Sequence, residues 1–330
     1  MTRILRRLAP IFFVLLCCIG YNAPASAQVT RAWVSGVGDD VNPCSRTAPC
    51  KTFYGAYAKT ANGGEIVCLD GGGYGGLTIA KSLTIHCPYT EGGILVASTN
   101  AITINAPGAV VVISGIDIEG LGQTGSPGLN GISVINVGTL HVRNVRIAGF
   151  RNGYGINFTP NTSGAQLVVD EVAISESGGT AYPTTSGGIN LAPQAGVSAV
   201  ATILNTRISN NLNVGIRVDT VGNVGAAIDA TIVGSSIVNN TNGIAVKVPA
   251  ATGTARFVLQ DSVVSLNSAY GIIANAGTVG TMNAYVGNTT ISSNATGIQL
   301  IGVGKLNSFG DNRVINNTTN GAFSATVAKQ

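Results

Sequence analysis

Residues 206–218 TRISNNLNVGIRV, 235–246 SSIVNNTNGIAV, 262–274 SVVSLNSAYGIIA, 289–300 TTISSNATGIQL and 312–323 NRVINNTTNGAF repeat one pattern. Each carries an apolar residue, an asparagine three places on, and then a glycine that is usually followed by isoleucine. Aligned, they give an apolar column (Ile208, Ile237, Val264, Ile291, Val314), an asparagine column (Asn211, Asn240, Asn267, Asn294, Asn317) and a glycine column (Gly215, Gly243, Gly271, Gly297, Gly321). A fixed period of this size is the mark of a repeat architecture. Successive glycines lie 28, 28, 26 and 24 residues apart, as their numbers show.

After each glycine the residues alternate, as in Gly215-Ile216-Arg217-Val218 and Gly243-Ile244-Ala245-Val246, which is strand periodicity and not helix periodicity. Earlier stretches keep the pattern with looser turns: Gly131-Ile132-Ser133-Val134, Gly155-Ile156-Asn157-Phe158 and Gly188-Ile189-Asn190-Leu191. The expected fold is all-β: a right-handed parallel β-helix whose coils stack equivalent residues about 4.8 Å apart. Stacked asparagines would bond one another and the turn amides. Glycine is expected to supply a positive φ at the bend. Ile244 should point inward and Ala245 outward, so an aspartate should be far worse at 244 than at 245.

Composition agrees. The chain has 330 residues, of which 45 are glycine, with 10% charged and 5% aromatic residues, as suits a thin core and frequent turns. Residues 1–27 have the three-part layout of a cleavable secretory signal: Arg3, Arg6 and Arg7, an apolar run from Ile11 to Ile19, and Ala25-Ser26-Ala27. The pair Arg6-Arg7 leaves a twin-arginine route open beside the ordinary one. Without that segment, 15 Lys and Arg face 14 Asp and Glu, a net charge near +1 with no basic run. Nucleic-acid binding is therefore not expected, and neither is a membrane span after signal removal. The expected localisation is secreted or periplasmic.

Four cysteines remain beyond the signal, Cys44, Cys50, Cys68 and Cys87, an even number that reads as disulfides in an exported chain. Of three connectivities, Cys44–Cys50 within a loop and Cys68–Cys87 across adjacent coils are favoured. The spacings match no zinc pattern, so no metal site is expected. Residues 51–62 place Phe53, Ala56 and Tyr57 at helical spacing before Gly63-Gly64, and a short capping helix is expected there to cover the open first coil. The domain plan is a signal over 1–27, an N-terminal cap over 28–63 and the β-helix over 64–330.

The opening AWVSGVGDDVNPCSRTAPCKTFYGAYAKTANGGEIVCLDGGGYGGLTIAKSLTI, together with the Asn and Gly columns, resembles the pectate-lyase-like right-handed β-helix superfamily over nearly the whole chain beyond the signal. The resemblance implies the fold. It leaves activity open, because the superfamily includes lyases, hydrolases, epimerases, tailspikes and adhesins. The clustered aspartates, Gly-His-Gly and Arg-Ile-Lys strings of its polygalacturonate hydrolases do not occur here.

Two polar groupings stand out. In the first, aligning Ile118, Ile147 and Ile174 stacks Asp117 beneath Arg146 and Arg143 beneath Asp170, with Glu119, Arg151 and Glu171 nearby. This reads as surface ion pairs or as a ligand site. The second is the outward column of the Gly-Ile strands: Asn157, Asn190 and Arg217, with Asp219 and Lys247 adjacent. It reads as a ligand-binding face for polysaccharide or as a solvated sheet. Gly120–Gly125 matches a dinucleotide fingerprint by letter but precedes a strand, and reads as a loop. His86 and His141 lack triad partners. Asp39-Asp40 with Asn42-Pro43 reads as a turn before it reads as a cation site.

The leading expectation is an exported protein with a binding or structural role on polysaccharide or cell-envelope material, with catalytic residues unassigned. One alternative is an uronate-type polysaccharide lyase using Arg217, the only case in which calcium would be a cofactor. The other is a tailspike-like or adhesin module forming stable oligomers.

Overall fold

The computed structural model describes residues 28–88, 90–122, 125–248, 253–277 and 281–329. The expected signal and part of the Gly120–Gly125 loop lie outside them. The chain forms a right-handed parallel β-solenoid. One sheet of ten three-residue-scale strands makes the short face, from Gly72–Gly73 to Arg313–Ile315. A nineteen-stranded sheet holds the other two faces, joined by the strands Ile102–Ser114 and Ile132–Arg143, which run through the corner between them.

The columns read from the sequence stack in register. On the short face Ile94, Ile118, Ile147, Ile174, Ile208, Ile237, Val264, Ile291 and Val314 lie one above another. On the Gly-Ile face Ile102, Ile132, Ile156, Ile189, Ile216, Ile244, Ile272 and Ile298 do the same. Nearly all are fully buried. Each contributes at most about 1.5–3 kcal/mol of apolar burial, so stability belongs to the stack.

The asparagine column forms a continuous ladder. Asn211, Asn240, Asn267 and Asn294 each donate their backbone N–H to the side-chain oxygen of the next coil's Asn, at 2.9–3.0 Å. Asn317 donates its N–H within its own turn, to Asn320 Oδ1 at 3.3 Å. A second ladder, which the sequence reading missed, follows the first letters of the same five segments. The N–H groups of Thr206, Ser235 and Ser262 donate to the hydroxyls of Ser235, Ser262 and Thr289, and Thr289 N–H donates to Asn312 Oδ1. All four hydroxyl residues are buried, so these bonds satisfy amides that the corner removes from the sheet.

The glycine column has a different cause from the one expected. Gly215, Gly243, Gly271 and Gly297 do not have positive φ; each ladder asparagine is instead preceded by a left-handed residue, Asn210, Asn239, Leu266, Ser293 or Asn316, and Asn213 is left-handed as well. Glycine is required because coils approach closely. A Cβ on Gly243 would stand 2.5 Å from the Gly271 carbonyl oxygen and 2.8 Å from Asn267 Nδ2. Only Gly321, at the last turn, has the positive φ, +71°.

The expected helix is shorter, Phe53–Lys59, because Thr60–Cys68 is already a strand. Thr52 caps it by accepting from Gly55 N–H, and Phe53 packs against Tyr74 with ring centroids 5.0 Å apart. Asp40 lies in a turn, as expected. Its carboxylate also takes bonds from Lys51 N–H, Thr52 N–H and the Thr52 hydroxyl, tying the turn to the helix start. The disulfides are Cys44–Cys50 and Cys68–Cys87. No helix among the described residues is long and apolar enough to cross a membrane.

Candidate functional site

The Gly-Ile strands build the site because their alternation turns every second residue away from the core. Ser133, Asn157, Asn190, Arg217, Ala245 and Ile273 lie in one outward column across six coils. Asn190 Nδ2 donates to Asn157 Oδ1 at 2.9 Å, so the two amides form an outer rung of their own. Two residues further along each strand, Asp219 stands in register with Lys247.

The column is not a flat solvated sheet. A loop over 179–186 folds against it and is fastened there. Asn213 donates its side-chain amide to Gly179 O, Tyr182 O and Ser186 Oγ, and Arg217 donates to the Thr184 carbonyl oxygen. The result is a groove of about 400 Å³ lined by Asn130, Tyr154, Asn157, Asn190, Arg217 and Asp219. Beyond Arg217 lies a smaller pocket of about 150 Å³ with Lys247 and Tyr270 in its walls. Of the five residues singled out in the sequence, Asn157, Asn190, Arg217 and Asp219 line the groove, and Lys247 lines the smaller pocket, which shares Arg217 with it. Asn130, Tyr154 and Tyr270 were missed although each stands just before the glycine of its Gly-Ile segment, a position that stacks from coil to coil but carries no constant residue type, and the loop was missed because it follows no repeat.

The electrostatics centre on Arg217. Its Nε donates to Asp219 Oδ2 at 2.5 Å, and a second guanidinium nitrogen pairs with the same oxygen. The other Asp219 oxygen accepts from Val221 N–H at 2.7 Å. Asp219 is 4% exposed, and the pairing is what makes such burial tolerable, since a lone buried carboxylate would be very costly. Although Lys247 stands in register with Asp219, its ammonium makes no ion pair or hydrogen bond with any of the described residues. Burial lowers its pKa, Arg217 lowers it further, and Asp219 opposes both. Burial pushes the Tyr154 hydroxyl up to about 12, so it stays a donor at neutral pH.

Ala245 corrects an expectation. It points outward but is 4% exposed, packed with Tyr154 and Val214 and beside Ile273. An outward position here is covered by neighbouring side chains, not by water.

The Asp117 and Arg143 grouping keeps its register but not its pairs. Asp117 faces Arg146 and Arg143 faces Asp170 as aligned. Yet Arg146 pairs diagonally with Glu119 at 3.5 Å, Arg143 lies 3.5 Å from His141 Nδ1, and Asp170 accepts from Asn205 at 3.0 Å. Long exposed side chains reach diagonal neighbours, and such pairs contribute about 1 kcal/mol at most.

Calcium does not fit the groove. The ion takes roughly six to eight oxygen ligands, usually with several carboxylates. Among the described residues that line the cleft Asp219 is the only carboxylate, and both its oxygens are engaged. Among the described residues no group of three or more His, Cys, Asp or Glu could hold a metal ion.

No protein-family model matches the chain, and no curated protein matches it. Solved structures do. Pectate lyase Pel9A superposes with a TM-score of 0.60 at 15% identity, covering 86% of this chain and 76% of that one. The Dettilon tailspike protein gives 0.41 at 15% identity over 76% of this chain and 61% of its own. A rhamnogalacturonan lyase gives 0.35 at 10% identity over 86% and 71%. At these identities the likeness speaks to fold and not to chemistry. The chain is a β-helix protein of the pectate-lyase-like fold.

Proposed function

We propose that the protein binds a polysaccharide along the groove, as an exported binding or structural β-helix. The observation that carries this reading is the in-register run Asn157–Asn190–Arg217 at the bottom of a cleft that crosses coils. Equivalent side chains recur about every 4.8 Å, so an extended chain of repeating units meets a repeating set of donors and acceptors. The amides and Tyr154 suit hydroxyl groups. Arg217 and Asp219 neutralise each other, so they orient the groove without demanding a charged ligand at that point. The two disulfides and the N-terminal layout of residues 1–27 support export. The helix Phe53–Lys59 packs over the first coil's strands and serves as the cap that keeps this end from pairing with other chains.

A glycan array followed by calorimetry tests the reading. Asn190→Ala should weaken binding at least about tenfold without changing the melting temperature by more than a few degrees. No binding to any plant, algal or bacterial envelope polysaccharide would overturn it.

An uronate lyase is the second reading, and one residue favours it: Lys247, a half-buried ammonium of lowered pKa that makes no ion pair with the described residues, has the environment of a proton-abstracting lysine. Arg217 is the weaker candidate for that role, being held by Asp219 and Thr184. Appearance of the unsaturated uronate chromophore on incubation with acidic polysaccharides, lost in Lys247→Met, would favour this reading over the first.

A further inference from the structure

A third face of the solenoid contrasts with the groove. The strands Ala165–Asp170, Ser198–Leu204, Ala227–Val233, Thr254–Gln260 and Thr281–Gly287 build it, apart from the Gly-Ile strands but in the same nineteen-stranded sheet. Its outward residues stack in three columns. The middle one runs Val168, Thr202, Thr231, Val258, Tyr285 and Asn307. One side column includes Val200, Asp229 and Arg256, and the other includes Leu204, Val233 and Gly287. Apolar side chains are on display here: Val200 is 43% exposed, and Leu204, Val233, Val258 and Tyr285 are half-buried. The central charges pair off, since Arg256 donates to both carboxylate oxygens of Asp229, at 2.7 and 2.9 Å.

Such a surface is best covered by one that is equally regular, apolar and balanced in charge. A second copy of the same face meets that description. Consider a two-fold axis that lies along the strands, between the coils of Thr231 and Val258. Each column then meets itself with the order of coils reversed. Thr231 comes opposite the partner's Val258, Thr202 opposite the partner's Tyr285, and Leu204 opposite the partner's Gly287, so large residues meet small ones. Asp229 comes opposite the partner's Arg256, which joins the two ion pairs into one ring of four charges. An axis along the solenoid instead would set Asp229 against Val233 and desolvate the carboxylate against an apolar side chain. The area also suffices. Six coils at about 4.8 Å and strands of about seven residues at about 3.3 Å each give about 650 Å² per copy, or about 1,300 Å² in all, within the range of about 1,200–2,000 Å² that specific interfaces bury.

We propose that this face is the interface of a homodimer, in which two antiparallel solenoids pack sheet against sheet. The arrangement is isologous, so it closes at two copies and does not grow into a fibre. The groove lies on the Gly-Ile strands and stays open on both copies. The dimer does not depend on what the groove binds.

Sedimentation equilibrium of the full protein tests this, with Val258→Lys, Asp229→Arg and Arg256→Asp as variants. The expected wild-type species is a dimer with a dissociation constant of about 10 μM or tighter. Val258→Lys should weaken it about tenfold or more, because two ammonium groups would enter the centre of the interface. Asp229→Arg and Arg256→Asp should each self-associate as weakly, since each sets like charges opposite one another. A one-to-one mixture of those two variants should dimerise again, because every charge of one copy then faces an opposite charge on the other. A monomer at about 100 μM would overturn the proposal, as would a dimer indifferent to Val258→Lys or assembly beyond two copies. A mixture no stronger than its separate components would overturn it as well. If Val258→Lys fails to fold, the wild-type mass and the mixing experiment decide.

Discussion

The side-chain oxygen of Asn267 accepts two hydrogen bonds from Asn240, one from the backbone N–H at 3.0 Å and one from Nδ2 at 3.2 Å, both fully buried. Asn267 then donates its own Nδ2 to Asn294 Oδ1 at 2.8 Å. Each asparagine is therefore acceptor for the coil below and donor to the coil above. Replacing Asn267 with Ala should leave buried donors unsatisfied on Asn240 and cost about 3 kcal/mol. Asn320→Ala, at the exposed end of the ladder where water can substitute, should cost about 1 kcal/mol or less. Denaturant unfolding of the two variants checks this, and equal losses would mean that the ladder carries little.

Gly243→Ala separates close approach from backbone conformation. The added methyl would meet the Gly271 carbonyl oxygen at 2.5 Å and Val264 Cγ1 at 2.8 Å, with backbone unable to move aside. A loss of about 3 kcal/mol or more is expected. Gly196→Ala meets nothing within 4 Å but has φ +71°, and should lose only about 1–2 kcal/mol. Melting curves showing Gly196→Ala as the worse variant would reverse the assignment.

The two faces of one strand offer a second contrast. Ile244→Asp would bury an unpaired charge in the core column and should destabilise by more than about 4 kcal/mol. Ala245→Asp is not harmless, because Ala245 is covered by Tyr154 and Val214. Its carboxylate would nonetheless border a cleft and stand in register with Arg217, so a loss of about 1–2 kcal/mol is expected. Equal melting temperatures would contradict the inward and outward assignment.

Acid should loosen the N-terminal part first. Burial alone would raise the Asp40 pKa, but the Thr52 hydroxyl and N–H, the Lys51 N–H and the Lys59 charge outweigh it and the net shift is downward. The Ser35 hydroxyl, against burial, leads the lowering at Asp70, helped by Gly36 N–H, Tyr74 and Lys51. Both folded-state values lie below the unfolded carboxylate value of about 3.9. Their contribution is thus complete above that pH and is lost as pH falls through the folded values. Melting temperature against pH should stay level to about pH 5 and drop below about pH 4. The pair Asp40→Asn and Asp70→Asn should melt lower at neutral pH and show a shallower acid limb. Parallel curves for variant and wild type would remove these two anchors from the account.

The period, the inward columns, the asparagine ladder, both disulfides and the existence of a short helix were legible in residues 206–323 and 28–87. Each depends on spacing along the chain, and in a solenoid one coil of spacing is one step in space. The Ser/Thr ladder was legible too, since Thr206, Ser235, Ser262 and Thr289 open the same segments, but small hydroxyl residues at turns are too common to stand out.

What the sequence by itself determined is which residues stack. What only the tertiary structure decided is what lies beside the stack. The 179–186 loop leans over the Gly-Ile face, Asp219 pairs with Arg217 and not with Lys247, Arg146 reaches past Asp117 to Glu119, and Ala245 is covered. Stacking is one-dimensional and follows from the repeat. Lateral contacts depend on where irregular loops fold and which of several rotamers reaches a partner first, and no periodicity encodes either.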